Sequence, residues 1–271
     1  MAGVKRPVSR SRGTGADEIG YTTAMSLASR LTTPPVPPTG RAVVYPDSDG
    51  EPMSDNTLQA AWIDRMRGGI GVACPDAFVA GNLLWYYQEG DPTQRIGPDV
   101  MVAFGRPRGE RGSYMQWREA GIAPQVVIEV WSPGNSFAEQ IQKHALYERL
   151  GVEEFIAYDP DRNNFAAYER NANGRFEIVA AAQPWISPRT GCRFVPGPDG
   201  LKAYRPDGEP FRTSEEAGLH AAELDRLAKE NAARADENAA RADENAAKAD
   251  EHAARSARLE AQLRALGIEP T

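Results

Sequence analysis

Three charged residues stand inside stretches that otherwise read as strand or helix. Asp99 lies in RIGPDVMVAFG (95–105), Glu129 in the middle of VVIEVW (126–131), and Lys143 in AEQIQKHALYERLGV (138–152). Glu129 is the most informative. On a strand, alternation puts Val127, Glu129 and Trp131 on one face and Ile128 and Val130 on the other. A carboxylate among Val and Trp is seldom buried without a compensating charge. An acid at a neighbouring strand end, such as Asp99 behind Pro98, together with a hard divalent cation would supply it. Mg²⁺ takes oxygen ligands and keeps several waters. Such a cation can activate a water and stabilise charge on a scissile phosphate, and a nearby lysine can orient that water or offset the phosphate charge. The same residue types also fit a structural reading. Glu129 could pair with a helix Lys or Arg, and Lys143 could form a surface pair with Glu139, since Glu139, Lys143 and Tyr147 are four apart on one helical face.

The elements that must position these residues can be read from patterning. SDNTLQAAWIDRMR (54–67) reads as a helix capped by Ser54 or Asp55, with Leu58, Ala61, Trp62 and Met66 near helical spacing. AFVAGNLLWYY (77–87) reads as strand with a Gly-Asn break, and 95–105 as a strand opened by Pro98. Residues 126–131 form the clearest strand. A helix follows over 136–150, with Gly151 placed to end it, and then the strand EEFIAYDP (153–160). NNFAAYER and RFEIVAAA read as a hairpin around Asn173-Gly174. This order of helix, strands, helix and strand predicts an α/β sandwich with a mixed sheet. Arg95, Arg106, Arg108 and Arg111 surround the Asp99 strand, as DNA-backbone contacts or as ordinary loop residues. Ser132 and Asn135 follow the central strand, where a turn-forming role is expected, and Tyr147 is expected to pack on the sheet.

Composition narrows the function classes. The 271 residues carry a net charge of −7, so no basic footprint argues for nucleic acid. The segment 223–262 holds 10 acidic and 7 basic side chains, which leaves −4 of the −7 elsewhere. Any nucleic-acid reading must therefore come from a site. Cys74 and Cys192 form no CxxC pattern, which argues against a zinc knuckle and fits a reducing cytoplasm. No apolar run approaches the ~20 residues of a membrane span. GxSxG, HExxH and P-loop motifs are absent.

From Glu230 the chain repeats every seven residues: ENAARAD, ENAARAD, ENAAKAD, EHAARSA. Ala232, Ala235, Ala239, Ala242, Ala246 and Ala249 alternate at three- and four-residue spacing, a heptad seam in a strongly helix-forming sequence. Leu259, Leu263 and Leu266 add larger anchors. A coiled coil that could join copies of the chain, or a helical hairpin, is expected, with a single exposed helix as the alternative.

The ordered combination PDVMVAFG, QVVIEVWSPGNS and K-x-x-x-Y-x-x-x-GVEEFIAYDP resembles the Uma family of restriction-endonuclease-like proteins, in the PD-(D/E)XK nuclease superfamily, over roughly residues 41–211. YPDSDGEPM and GNLLWYYQEGDP are similar to one bacterial branch of it, and the tail ending LEAQLRALGIEP to the helical tails of that branch. The resemblance implies a restriction-endonuclease-like core with a mixed central β-sheet flanked by helices. Beside the basic, Ser/Gly/Thr-rich stretch 1–33 and PPVPPTG (34–40), which read as a flexible arm and Pro-rich linker (1–40), the resemblance gives a nuclease domain (41–211) followed by a long helix or coiled coil (212–271). It further implies a Mg²⁺- or Mn²⁺-dependent DNA endonuclease, in which Asp99 and Glu129 hold the metal and Lys143 completes the catalytic set. The commonest superfamily pattern has its Lys two residues after the Glu, where this chain has Trp131; the family supplies it from the next helix. Glu139 stands where relatives carry an acid before that Lys, and Glu51 and Asp55 are candidates for a further acid. The competing expectation is a catalytically degenerate nuclease fold acting as an interaction module through its coiled coil.

Overall fold

Residues Val126–Val130 form a strand in which every side chain is buried, and the sheet is organised around it. The structure, a computed structural model, describes residues 43–48, 50 and 54–267. The arm expected over 1–40, and Glu51, lie outside the described residues. In chain order the elements are α1 (Thr57–Ala73), β1 (Ala77–Gly81), β2 (Trp85–Tyr86), β3 (Arg95–Ile96), β4 (Val100–Phe104), β5 (Tyr114–Met115), β6 (Val126–Val130), α2 (Phe137–Leu150), β7 (Glu154–Asp159), β8 (Asn164–Arg170), β9 (Phe176–Ala181), β10 (Trp185–Ile186), β11 (Arg193–Gly197), β12 (Gly200–Tyr204) and α3 (Ser214–Ala265).

The main sheet has the order β1-β4-β6-β7-β8-β9. Only β6 and β7 run parallel; the other neighbours are antiparallel. A parallel pair needs a long crossover, and α2 is that crossover. It is capped by Ser136 and ends at Gly151, whose φ of 90° is a left-handed value that a side chain would strain. The β8–β9 hairpin turns at Asn173-Gly174, as expected.

The two faces of the sheet carry separate apolar clusters. Trp62, Ile63, Met66 and Ile70 of α1 pack on Val100, Val102, Val126, Ile128 and Val130, together with Trp185, Phe194 and Leu201 from the second sheet, β10-β11-β12, and Phe211 from the segment after it. On the opposite face Tyr147 of α2 packs with Met101, Val127, Trp131 and Phe155. The result is a mixed α/β architecture, with helices on both faces of a mixed sheet.

α1 departs from its expected bounds. It starts at Thr57, capped by Asn56, whose side chain accepts from Gln59 N at 2.8 Å. It continues to Ala73 rather than stopping at Arg67. The glycines after Arg67 resemble a stop signal, but Gly69 is a packing site: a Cβ there would lie 2.2 Å from the ring of Phe211.

α3 is one continuous helix of 52 residues, about 78 Å long at 1.5 Å per residue. Thr213 and Glu216 form a capping box at its start. Ser214 N donates to Asp64 at 2.6 Å, and Arg65 pairs with Glu216 at 2.6 Å, which ties this end to α1. Its alanine repeats are exposed along their length.

Candidate active site

The register of two strands brings the acids together. β4 and β6 are antiparallel, with Val100 opposite Ile128 and Met101 opposite Val127. One residue further along the same register, Asp99 stands opposite Glu129. Directly opposed residues of an antiparallel pair share a face of the sheet, and here it is the face covered by α2. Asp99 is 9% exposed and Glu129 fully buried.

α2 then delivers Lys143. Its Nζ lies 2.9 Å from Glu129 Oε2. One turn on, the Tyr147 hydroxyl donates to Glu129 Oε1. Both carboxylate oxygens of Glu129 are thus engaged from one helical face. The anticipated Glu139–Lys143 pair gives way to this arrangement, and Glu139 accepts from Asn135 Nδ2 at 3.1 Å. Tyr147 packs on the sheet as expected, but it also positions Glu129.

Peptide groups at the end of β6 hold the rest. Val130 N donates to Asp99 Oδ2 at 2.7 Å, and Gln59 Nε2 of α1 donates to Val130 O at 2.7 Å. The same Gln59 side chain accepts from Asp55 N at 2.7 Å. Ser132 Oγ donates to Asp55, and Ser132 N donates to Asn135 Oδ1 at 2.9 Å. Ser132 and Asn135 therefore build the turn that leads into α2. Gln59 escaped the sequence reading, although a signal existed: it falls on the buried stripe of α1 with Trp62, Ile63, Met66 and Ile70.

Asp99, Lys143, Gln59, Asp55, Asn135 and Glu139 all line one cavity of about 650 Å³, whose wall also includes Asp47 and Asn82. Its electrostatics are uneven. Burial, then the adjacent Glu129 carboxylate, push the Asp99 carboxyl well above the ordinary carboxylate range, against the pull of Lys143 and the Val130 N–H. Asp99 is therefore the member of the pair that burial and its neighbour dispose to keep a proton. Burial works to lower the Lys143 pKa, but Glu129 and then Asp99 outweigh it and hold the amine protonated. Burial and Glu129 raise the Tyr147 phenol well above its usual value, so it remains a hydrogen-bond donor.

The arginines around β4 are engaged within the fold. Arg106 and Arg111 pair with Glu119 at 2.8 and 2.7 Å, and Arg111 stacks 4.0 Å from the centre of the Phe78 ring. Arg108 donates to the carbonyls of Gly71 and Cys74 at the end of α1. Arg95 donates to Pro92 O at 2.9 Å.

A mixed central sheet flanked by helices is the architecture expected of a restriction-endonuclease-like protein. The chain belongs to the Uma2 family, described as "putative restriction endonuclease", whose profile matches residues 40–192. Among solved structures it is similar to a crystal structure titled as a "putative nuclease belonging to DUF820" from Anabaena variabilis. The two are 19% identical with a TM-score of 0.40, and the match covers 52% of this chain and 77% of that one. No curated protein matches.

Proposed function

We propose that this chain is a divalent-metal-dependent endonuclease that hydrolyses DNA phosphodiester bonds, with Asp99 and Glu129 as the metal-holding acids and Lys143 as the third catalytic residue. The observation that carries the reading is that Asp99 and Lys143 line one cavity and Glu129, buried directly behind them, pairs with Lys143, within a chain of a nuclease family. With one ammonium paired to Glu129, the two opposed acids are balanced while Asp99 keeps its proton, and a hard cation could take that proton's place. Among the described residues no group of three or more His, Cys, Asp or Glu side chains is gathered to hold a metal. Two carboxylates suit Mg²⁺ or Mn²⁺ all the same, because Mg²⁺ is commonly held by one or two carboxylates, with waters and substrate phosphate completing its shell.

A bound cation would supply Lewis-acid stabilisation of the phosphate and a lowered pKa for an attacking water. The chain's own residues do the rest. Asp99, its proton lost to solvent when a cation binds, would be held in place by the Val130 N–H. Tyr147 fixes Glu129. Lys143, protonated at Nζ, stands where it offsets charge gathering on the phosphate oxygens. Asn135 and Gln59 fix the cavity wall. Cleavage of supercoiled, linear and single-stranded DNA in Mg²⁺ or Mn²⁺, with an EDTA control and an RNA substrate beside them, tests the reaction and its substrate class.

We further propose that α3 joins copies of the chain through its alanine seam. In a parallel pair, Asp236 and Asp243 of one helix would face Asn231 and Asn238 of the other, whereas an antiparallel pair would set aspartates against each other. The competing reading, a degenerate nuclease fold serving as an interaction module, draws on the acidic charge and on Trp131; a site that binds no cation would favour it. No helix among the described residues is long and apolar enough to cross a membrane.

A further inference from the structure

We infer that Trp131 is the positioning residue for the Lys143 ammonium, a second anchor that keeps Nζ at the acid pair when Glu129 is engaged elsewhere. The inference rests on the nuclease reading for its purpose, though not for its geometry. Trp131 N donates to Tyr158 O at 2.8 Å, so the backbone carries the β6 register one residue past Val130. The indole therefore projects from the face that bears Glu129, two residues on and about 7 Å along the strand. A lysine at this position would reach the acids directly. Here the position holds a ring, and Lys143 Nζ arrives from α2 to lie 5.5 Å from the ring centre. That is within the distance at which a tryptophan face attracts a cation, and the attraction strengthens when the site is desolvated.

Both partners are shielded. Trp131 is 6% exposed and packs in the cluster of Tyr147 and Phe155, and the Lys143 side chain is 20% exposed. A lysine is a point charge on a flexible four-carbon stem. With only the Glu129 ion pair to hold it, its head would be released whenever that carboxylate turned to a cation. Asp99 cannot replace the anchor, because the same cation would occupy it. The indole carries no charge, does not compete for the metal and stays in place. The chain thereby uses a helix lysine and a strand tryptophan together, where a single strand lysine would otherwise serve.

The test reads the ring itself. In the full chain with labelled lysines, assigned by loss of the signal in Lys143→Met, the Lys143 ε-methylene resonance is expected upfield of the other lysines because its Nζ lies 5.5 Å from the centre of the indole. It is expected to stay there in Glu129→Gln, to stay there on titration of the wild type with Mg²⁺, and to move to the ordinary lysine position in Trp131→Leu. An unshifted Lys143 in the wild type would overturn the inference, as would loss of the shift in Glu129→Gln. Kinetics supply a second readout. Trp131→Phe, which keeps an aromatic face, should hold kcat within about threefold. Trp131→Leu should lower kcat by about tenfold to 100-fold at unchanged KM, as expected for a misplaced group. Equal losses in both variants, tracking a lowered Tm, would mean that the ring only fills space and would also overturn the inference. A chain that cleaves nothing would defeat the nuclease reading, and the resonance would still decide the role of Trp131.

Discussion

Lys143 on α2 and Glu129 on β6 meet at 2.9 Å, although fourteen positions and a turn separate them in sequence. The contact exists because β6 passes straight into α2 and α2 folds back over the face on which Glu129 lies. A crossover that any parallel β-pair requires thus also delivers the cation of the site. Tyr147, one turn later, takes the other oxygen of the same carboxylate.

The acid pair should cost the fold stability. Asp99 is raised first by burial and then by Glu129. A carboxyl raised on folding contributes stability that is fully present below its ordinary value and is lost as pH rises through the folded value. Asp99→Asn keeps an acceptor for Val130 N and removes the titration. We expect it to be more stable than wild type at pH 8 by about 1–2 kcal/mol, with the gap closing towards pH 4. Thermal melts across that range measure it. A less stable Asp99→Asn at pH 8 would contradict the electrostatic picture.

Cation affinity should follow the same proton. Binding must expel the proton held by Asp99, so Mg²⁺ or Mn²⁺ affinity should rise with pH above the ordinary carboxylate range. Calorimetric titrations at several pH values should show that rise and proton release in the wild type. In Asp99→Asn the binding should be lost or flat with pH.

Tyr147→Phe removes a donor and leaves Glu129 Oε1 buried without a partner. An unsatisfied buried group costs about 1–3 kcal/mol, and the loosened carboxylate should also lower cleavage. Denaturant unfolding read beside the cleavage rate tests both effects. A variant with full stability and full rate would remove Tyr147 from the site.

Gly69→Ala sets two effects against each other. Alanine in place of glycine favours a helix by about 1 kcal/mol. Here its methyl would lie 2.2 Å from the Phe211 ring, itself buried between α1 and the second sheet. Overpacking of this kind costs about 1–3 kcal/mol, so we expect net destabilisation. Gly71, with nothing within 4 Å of a Cβ, is the control, where alanine should stabilise.

α3 separates from the chemistry. Truncation after Glu223 keeps the Asp64–Ser214 and Arg65–Glu216 ties to α1 and removes the alanine repeats. The truncated chain should keep its cation affinity and lose any self-association seen by light scattering. Unchanged association would move the contact elsewhere.

Much of this was legible in the residues. Alternation in VVIEVW set Glu129 on the face of Val127 and Trp131, and the structure puts it there. Asn173-Gly174 and Gly151 marked a hairpin and a helix end because each needs a conformation few residues accept. What sequence could not supply were partners set by register and packing. Asp99 meets Glu129 because β4 and β6 pair with Val100 opposite Ile128, a register no local pattern specifies. Gln59 reaches Val130 across 71 positions. The end of α1 was misread because Gly69 is small for the sake of Phe211, a residue far along the chain.

The most direct test of the central claim is nicking of supercoiled plasmid by wild type, Asp99→Asn, Glu129→Gln and Lys143→Met, each shown folded, in Mg²⁺ or Mn²⁺ with and without EDTA. We expect nicking by the wild type that EDTA abolishes, and a loss of about 100-fold or more in each variant, the scale on which single groups that stabilise transition-state charge are worth. Nicking that survives in the Glu129→Gln and Asp99→Asn chains, or a folded wild type that binds no cation and leaves the plasmid intact, would contradict it.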